Sequence, residues 1–205
     1  MHPNKQMSLL HEQWRKSSTY KIPPLAPLPG IGNHATPMAM ILGCAPSGSD
    51  TIEGEPFTDP GGRVLRALAN KAGFTQVNTW VTMLFKYRFM NNRLPYPDEI
   101  ISVRHLLYTE WCAVNKPQLI IPVGPSAANA VLGSESGATV RSGRAVVRTS
   151  KCGLPMVVVP MVHPVHGLRD TSIRNFIERH WDELGEQIDK ATRDARYHVV
   201  VYNVK

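Results

Sequence analysis

Four short apolar segments rich in β-branched residues, each followed by a helix-length stretch, constrain the fold of this chain most strongly. The apolar segments span residues 38–42, 77–82, 119–123 and 156–162. The helix-length stretches cover residues 62–72, 98–115, 126–132 and 171–195. Strands that are apolar throughout are typical of a parallel sheet covered on both faces. The sequence therefore predicts an α/β fold, a three-layer sandwich around a central, mainly parallel, four-stranded sheet.

The two ends of the chain add less regular features. Residues 8–17 have the pattern of a short helix, and residues 198–202 that of an edge strand. Between about residues 20 and 37, five prolines and two glycines predict an extended arm without regular structure. The length of the chain fits one well-buried domain, so we expect residues 1–205 to fold as a single unit with a proline-rich N-terminal arm.

Charge and cysteine content narrow the function classes. The chain has 23 Lys and Arg against 16 Asp and Glu, a net charge of +7, which favours a polyanionic partner. The three cysteines, Cys44, Cys112 and Cys152, show no Cys-x-x-Cys spacing, so we expect no disulfide framework, no metal and no cofactor. No apolar run is long enough to span a membrane and no signal peptide is evident, which predicts a soluble, cytoplasmic protein without membrane partners. We expect a monomer.

Polar loops follow two of the predicted strands. Residues 41–50 read Ile-Leu-Gly-Cys-Ala-Pro-Ser-Gly-Ser-Asp, and residues 54–62 continue as Gly-Glu-Pro-Phe-Thr-Asp-Pro-Gly-Gly. Residues 163–169, which follow the last strand, read His-Pro-Val-His-Gly-Leu-Arg. Parallel α/β sheets bind ligands at the carboxyl ends of their strands. The sequence therefore predicts one cleft that combines a carboxylate loop with a histidine loop.

These loops, together with residues 86–100 and the Gly-Pro-Ser-Ala-Ala turn at residues 124–128, resemble the uracil-DNA glycosylase superfamily. Its iron-sulfur branch has Gly-Glu-Ala-Pro-Gly, Gly-x-Pro-Phe-Val-Gly, Lys-Cys-Arg-Pro-Pro, Gly-x-x-Ala-Ala and His-Pro-Ser in the same order. The resemblance covers about residues 38–169. It implies a DNA glycosylase that flips a base out of DNA, hydrolyses its N-glycosidic bond and leaves an abasic site.

Two departures from that branch change the expected chemistry. Tyr87 stands in the place of the cysteine in the Lys-Cys motif, and the N-terminal arm has no cysteine pair, so we expect no iron-sulfur cluster. Cys44 stands where the branch has its water-activating Glu. Another branch that lacks this Glu has an Asp just after Pro-Phe-Thr-Gly, and Asp59 lies close to that place, with Asp50 as a second candidate.

The resemblance assigns roles around the bond to be cleaved. A carboxylate beside the sugar, Asp59 or Asp50, would orient water and stabilise positive charge. His163 would donate to the leaving base, and Phe57 would stack on the extruded base. Asp59 is equally consistent with a helix N-cap, and a His before Pro can be a simple turn residue. The residues expected to bind substrate are Cys44, Ala45, Pro46, Ser47, Gly48, Phe57 and Met83.

Basic residues near these loops are candidates for phosphate contacts, although an ordinary solvated face is the alternative. Ser126 begins a helix, whose N-terminus suits a phosphate. The segment that starts at Pro164 would fill the gap left by the flipped base. The residues expected to bind DNA are Lys86, Arg88, Arg93, Ser126, Pro164, Val165, His166 and Arg169.

The base itself is less constrained by the sequence. Met83 stands where the iron-sulfur branch has an Asn that reads uracil, and a thioether cannot donate a hydrogen bond. Ser47, Gly48 and Ser49 are small where the classical uracil enzymes have a blocking Tyr. These features predict a pocket for a pyrimidine substituted at carbon five, as in phage DNA, and hence a role in defence. An ordinary uracil-DNA glycosylase of base-excision repair and a catalytically inactive DNA-binding relative are the alternatives.

Overall fold

The computed structural model describes residues 2–18, 25–133, 142–150 and 153–193. Its strands are β1 Ile31–Gly32, β2 Ala39–Gly43, β3 Thr79–Met83, β4 Leu119–Pro122, β5 Val146–Thr149 and β6 Pro155–Val158. Its α-helices are α1 Pro3–Ser17, α2 Gly48–Glu53, α3 Pro60–Lys71, α4 Pro97–Ala113, α5 Pro125–Leu132 and α6 Thr171–Arg193. Two short 3-10 turns, Met90–Asn92 and Pro164–Leu168, complete the described elements.

The strands form one sheet in the order β1-β3-β2-β4-β6-β5. The four inner strands pair in parallel, which confirms the predicted parallel core. The two edge strands pair antiparallel and were not predicted. Because β1 is two residues long and exists only through pairing with β3, it has no pattern of its own, and the expectation of an arm without regular structure was wrong there. The strand predicted at residues 198–202 lies outside the described residues, as do Pro23 and Pro24 of the arm.

Helices cover both faces of the sheet. In β2, Ala39 and Ile41 pack into the layer that contains α3 and α6. Met40 and Leu42 point to the other face, into the layer of α1, α4 and α5. All five residues of β2 are buried, as expected for the centre of a parallel sheet. The predicted three-layer architecture is confirmed.

Proline marks most helix starts in this chain. Prolines stand at the first turn of α1, α3, α4 and α5, where the missing N–H is no loss and the fixed φ suits the helix. Because α1 begins at Pro3 with His2 as its cap, it starts five residues before the predicted helix at residues 8–17. No helix among the described residues is long and apolar enough to cross a membrane.

Polar contacts as well as apolar packing hold α1 against the rest of the protein. The Tyr87 hydroxyl donates to Glu12 Oε2 over 2.6 Å, and Trp14 Nε1 donates to Ser102 Oγ over 2.9 Å. His11 is fully buried, and neither of its ring nitrogens has a hydrogen-bond partner among the described residues. Burial, with a smaller contribution from the nearby Lys86 ammonium, holds the pKa of His11 well below its ordinary value.

Candidate active site

Asp50 joins the loop after β2 to the loop before α3. It forms a capping box at the start of α2, in which Ser47 N donates to Asp50 Oδ2 over 2.8 Å and Asp50 N donates to Ser47 Oγ over 3.1 Å. Asp50 Oδ1 accepts from the Thr58 backbone N–H over 2.7 Å and from the Thr58 hydroxyl over 2.8 Å. This carboxylate is buried and both of its oxygens are engaged. These hydrogen bonds make Asp50 a structural link between two loops and favour Asp59 over Asp50 as the catalytic carboxylate; Asp50 stays the second candidate.

Phe57 is held in an unusual backbone conformation next to this link. Its φ of 59° lies in the left-handed region, which is unfavourable for a residue with a side chain. A Cβ added to Gly62 would lie 2.4–2.6 Å from the Phe57 backbone, so only glycine allows α3 to approach this closely. The first turn of α3 therefore packs directly against the strained loop and fixes the Phe57 ring in the core.

Asp59 is the N-cap of α3. Its Oδ1 accepts from Gly62 N over 2.6 Å, and its Oδ2 accepts no hydrogen bond from the described residues. The side chain is half-buried, whereas that of Asp50 is buried. The helix-cap and catalytic roles of Asp59 are thus compatible, because one oxygen caps α3 and the other accepts no hydrogen bond from the described residues.

His163 lies at the start of the 3-10 turn after β6 and close to the first turn of α3. A Cβ added to Gly61 would lie 3.2 Å from His163 Cε1. Burial lowers the pKa of His163 below its ordinary value, and the Asp59 carboxylate, which acts in the opposite direction, does not cancel the effect. Val165 N donates to His163 Nδ1 over 3.2 Å. Because Nδ1 accepts, the neutral ring has its proton on Nε2, which leaves Nε2 as a hydrogen-bond donor.

The rings of Phe57 and His163 lie close together, with centroids 6.1 Å apart and planes inclined by 36°. Met83 lies beside the Phe57 ring, next to Gly43. A Cβ added to Gly43 would lie 2.3 Å from Met83 Sδ and 2.7 Å from Phe57 Cζ, so these two side chains meet over Gly43. The structure thus brings together Phe57, Met83 and His163, with Asp59 at the edge of the group.

Cys44 follows Gly43 and contacts α5. Burial raises the pKa of the Cys44 thiol to about 11, although a hydrogen bond with the Ser126 side chain acts the other way. The thiol is therefore protonated at neutral pH and is not a base for water. The Ser126 side chain is buried and turned toward Cys44.

The expectation that Lys86 contacts DNA was wrong. The Lys86 side chain is 2% exposed, and its Nζ donates to Glu110 Oε1 over 2.9 Å and to Thr82 Oγ1. The same Glu110 oxygen also accepts from Thr82 Oγ1 over 2.7 Å and from Trp80 Nε1 over 3.0 Å. A buried ammonium that is paired in this way cannot reach a phosphate.

Arg93 also makes close contacts within the protein. Its two terminal nitrogens donate to the two carboxylate oxygens of Glu99 over 2.7 and 2.8 Å. Its guanidinium lies 4.3 Å from the Phe89 ring centroid and 4.7 Å from that of Tyr96. This bidentate, stacked arrangement gives Arg93 a structural role in the loop before α4. Its side chain is 28% exposed, and the expected DNA contact stays a prediction.

Of the remaining basic candidates, Arg88 is half-buried, whereas His166 and Arg169 are exposed. The guanidinium of Arg88 lies 3.1–3.5 Å from where a Cβ on Gly48 would be, and its Nε donates to Asn92 Oδ1 over 2.8 Å, so the space expected beside Gly48 is bordered by a hydrogen-bonded cation. Val165, His166 and Arg169 are exposed on and after the 3-10 turn that follows His163, while Pro164 is buried. The DNA-contact assignments of these exposed residues stay predictions.

Three residues at the site were missed in the sequence. Thr58 supplies both hydrogen bonds to Asp50 Oδ1, and Gly61 and Gly62 permit the close approach of α3 to His163 and Phe57. The Pro-Gly-Gly run after Asp59 was the available signal, because consecutive glycines at a helix start indicate close backbone packing.

Comparison with known proteins agrees with this architecture and this arrangement of loops. The chain belongs to the Uracil DNA glycosylase superfamily, whose sequence profile matches residues 29–185. The type-4 uracil-DNA glycosylase of Archaeoglobus fulgidus is 26% identical over 166 residues, which are 80% of this chain and 82% of the relative. That of Saccharolobus solfataricus is 29% identical over 167 residues, 78% of this chain and 76% of the relative. That of Thermotoga maritima is 27% identical over 149 residues, 70% of this chain and 72% of the relative.

The residues of this chain do not fit the iron-sulfur cluster of the branch it resembles. A cluster of that type is held by four cysteine thiolates, and the chain has three cysteines. Tyr87, at the motif position of one cluster cysteine, donates a hydrogen bond to Glu12 of α1 instead. Among the described residues, no group of three or more His, Cys, Asp or Glu side chains is placed to hold a metal ion; Cys152 lies outside them.

Proposed function

We propose that this protein flips a base out of DNA and hydrolyses its N-glycosidic bond, leaving an abasic site. Its enzyme class follows from the family: the chain is a DNA glycosylase, a hydrolase. The mechanism rests on one observation, the hydrogen bond from Val165 N to His163 Nδ1. This bond leaves Nε2–H of a neutral imidazole as a donor near the Phe57 ring.

On the base side of the bond, His163 acts as a neutral donor. Negative charge develops on the leaving base in the transition state, and a positioned donor stabilises that charge. Burial keeps the pKa of His163 low, so the ring needs no added proton to act at neutral pH. We expect an extruded base to stack on Phe57, whose strained loop holds the ring in place. The ring is 2% exposed, so the base reaches it only when a neighbouring side chain such as that of Met83 moves.

On the sugar side, Asp59 acts through Oδ2. A carboxylate at this place orients water and stabilises the oxocarbenium-like sugar. Asp59 Oδ1 stays on Gly62 N, which fixes the direction of the carboxylate. Cys44 does not share this role, because burial keeps its thiol protonated.

The test is formation of abasic sites in DNA by the wild type and two variants. His163→Ala should reduce turnover about 10²-fold or more while DNA affinity changes only a few-fold, because the donor acts on charge that appears in the transition state. Asp59→Asn should also reduce turnover, and it retains the helix cap because Asn caps as well as Asp. His34→Ala, at an exposed histidine outside the site, is the control. Unchanged turnover in His163→Ala contradicts the mechanism, and a wild type that releases no base supports the inactive DNA-binding relative.

We further propose that the released base is a pyrimidine substituted at carbon five, which would make the enzyme a defence against modified phage DNA. Two observations support this. Met83, buried against Gly43, has no donor with which to read the edge of a base. The boundary next to Gly48 is the end of the Arg88 side chain, which donates from Nε to Asn92 Oδ1 over 2.8 Å and would have to shift to make room for a substituent. Uracil is the second candidate, because the relatives are named uracil-DNA glycosylases.

Matched DNAs that contain uracil, hydroxymethylcytosine or glucosylated cytosine distinguish the two candidates. Gly48→Tyr should suppress release of the bulky base by steric overlap and leave release of a small base intact. A melting measurement on the variant controls for lost stability. Release of uracil alone by the wild type would establish the second candidate, and equal release of the bulky base by parent and Gly48→Tyr would remove the main support for the first.

A further inference from the structure

A cavity of about 590 Å³ opens beside His163 and is distinct from the Phe57 and Met83 contact region. Its walls come from the start of α5, the segment after β6, the 3-10 turn and the first turns of α6. The residues that matter here are Pro125, Met161, His163, His166, Ile173 and Phe176. Its volume falls within the range of about 300 to 1,000 Å³ that small-molecule sites occupy. The mechanism above does not use this cavity.

The wall favours a neutral ring over an anion. Most of its surface is apolar, with the imidazoles of His163 and His166 and the Ser172 hydroxyl as polar groups. The backbone N–H groups of Ser172 and Ile173, which would attract a phosphate at the start of α6, both donate to Asp170 Oδ1, over 2.8 and 3.1 Å. The capping carboxylate also repels a second negative charge. A phosphate is therefore disfavoured at this end of the cavity.

Phe176 offers a stacking surface within the cavity. Its ring packs edge-on against His180, with centroids 4.0 Å apart, and Ser142 Oγ lies 3.0 Å from His180 Nδ1. The Phe176 ring is thereby supported from behind. Aromatic rings of this kind bind unpaired bases by stacking without regard to sequence.

We propose that this cavity binds the nucleobase next to the excised nucleotide, in an unpaired state. The inference rests on the proposed function, since His163 borders both the excision site and the cavity. A DNA strand whose excised nucleotide lies at His163 carries its neighbouring base to the cavity. The enzyme therefore binds best to DNA in which that neighbouring base is free to leave the helix, as in single-stranded or locally opened DNA.

Binding to short single strands that contain a central tetrahydrofuran residue, a stable analogue of the abasic product, tests this proposal. The nucleotide on each side is kept intact or replaced by a second tetrahydrofuran, which removes only its base. On one flank, loss of the base should weaken binding by the wild type about 5- to 150-fold, the range for one stacked base. Phe176→Ala should weaken binding to the intact strand by a similar factor and should no longer respond to removal of the flanking base.

Ile188→Ala is the matched control, because Ile188 lies on the same helix, is half-buried against the same core cluster, and is not a cavity residue. It should retain the full flank effect. The proposal is overturned if neither flank affects wild-type binding, or if Phe176→Ala keeps the flank effect. Excision assayed in parallel separates the two proposals: excision without a flank effect refutes only the cavity assignment, whereas a flank effect without excision refutes only the catalytic function.

Discussion

Replacing Lys86 by methionine should destabilise the protein strongly without changing its contacts with DNA. The substitution removes the ammonium that Glu110 Oε1 contacts at 2.9 Å, in a site where both side chains are at most 2% exposed. An uncompensated buried charge of this kind costs about 3 to 5 kcal/mol of unfolding free energy. Trp80 Nε1 and Thr82 Oγ1 still donate to the carboxylate, so we expect the lower part of that range.

The second variant, Lys86→Met with Glu110→Gln, separates the charge from the packing. A glutamine oxygen can still accept from Trp80 and Thr82, and no charge is left buried. The double variant should therefore regain most of the lost stability and lie within about 2 kcal/mol of the parent, since neutral replacements of buried ion pairs are often well tolerated. Urea denaturation at neutral pH measures all three proteins.

DNA binding as a function of salt provides the independent measurement. Each phosphate contact contributes about one unit to the log-log slope of affinity against salt concentration. Lys86→Met, measured where it is folded, should keep the parental slope, whereas Arg169→Gln should reduce it by about one if Arg169 contacts a phosphate. A Lys86→Met protein with nearly parental stability and a slope lowered by one would refute the buried ion pair.

Three further outcomes follow from the structure. Because the unfolded chain protonates His11 below about pH 6.5 and the folded protein does not, unfolding free energy should fall as pH drops through that value, by at most about 1.4 kcal/mol per pH unit for this one group. His11→Leu should remove the contribution of His11 to the pH dependence of unfolding free energy, measured by denaturant titrations at several pH values. An unchanged pH dependence in this variant would contradict the lowered pKa of His11. Gly62→Ala should displace Phe57 and reduce turnover by up to about 10²-fold, whereas Gly48→Ala, whose added Cβ meets only the movable end of an arginine, should be tolerated; equal activities would exclude the close packing. Because three cysteines are too few for a four-thiolate cluster, purified protein should lack stoichiometric iron by atomic absorption. A brown protein with stoichiometric iron would contradict this expectation.

The sequence predicted the parts of the fold that local pattern determines. The four parallel strands were recognisable because each is an apolar run of its own, and α3 to α6 were recognisable from the helix-length stretches between and after the runs. β1 and β5 were not, because β1 is two residues long and β5 is mostly exposed, and both depend on pairing with a neighbouring strand.

In the candidate site, too, the sequence predicted the features that depend on local pattern and missed those that depend on distant partners. The positions of Asp59 and His163 at strand and helix ends could be inferred from local sequence. The roles of Asp50, Lys86 and Arg93 could not, because each is decided by a partner that only the fold or a turn brings near, such as Glu110, which is 24 residues from Lys86. The local sequence around a lysine is the same whether its ammonium contacts a phosphate of DNA or a buried carboxylate of the protein.

The Asp50 carboxylate ties the start of α2 to Thr58, so the end of α2 and the loop after it form a segment whose two ends are fixed to each other. Once the ends of a loop are fixed, doubling its length costs only about 0.6 kcal/mol. Ile52, in the last turn of α2, is 85% exposed, and the exposed Gly54 ends that helix. A fluorophore attached at Ile52, or a short peptide inserted after Gly54, would lie on the surface between Asp50 and Thr58 while Ser47 and Phe57 kept their positions. The fold thus provides an attachment point from which the arrival and departure of DNA can be followed in real time.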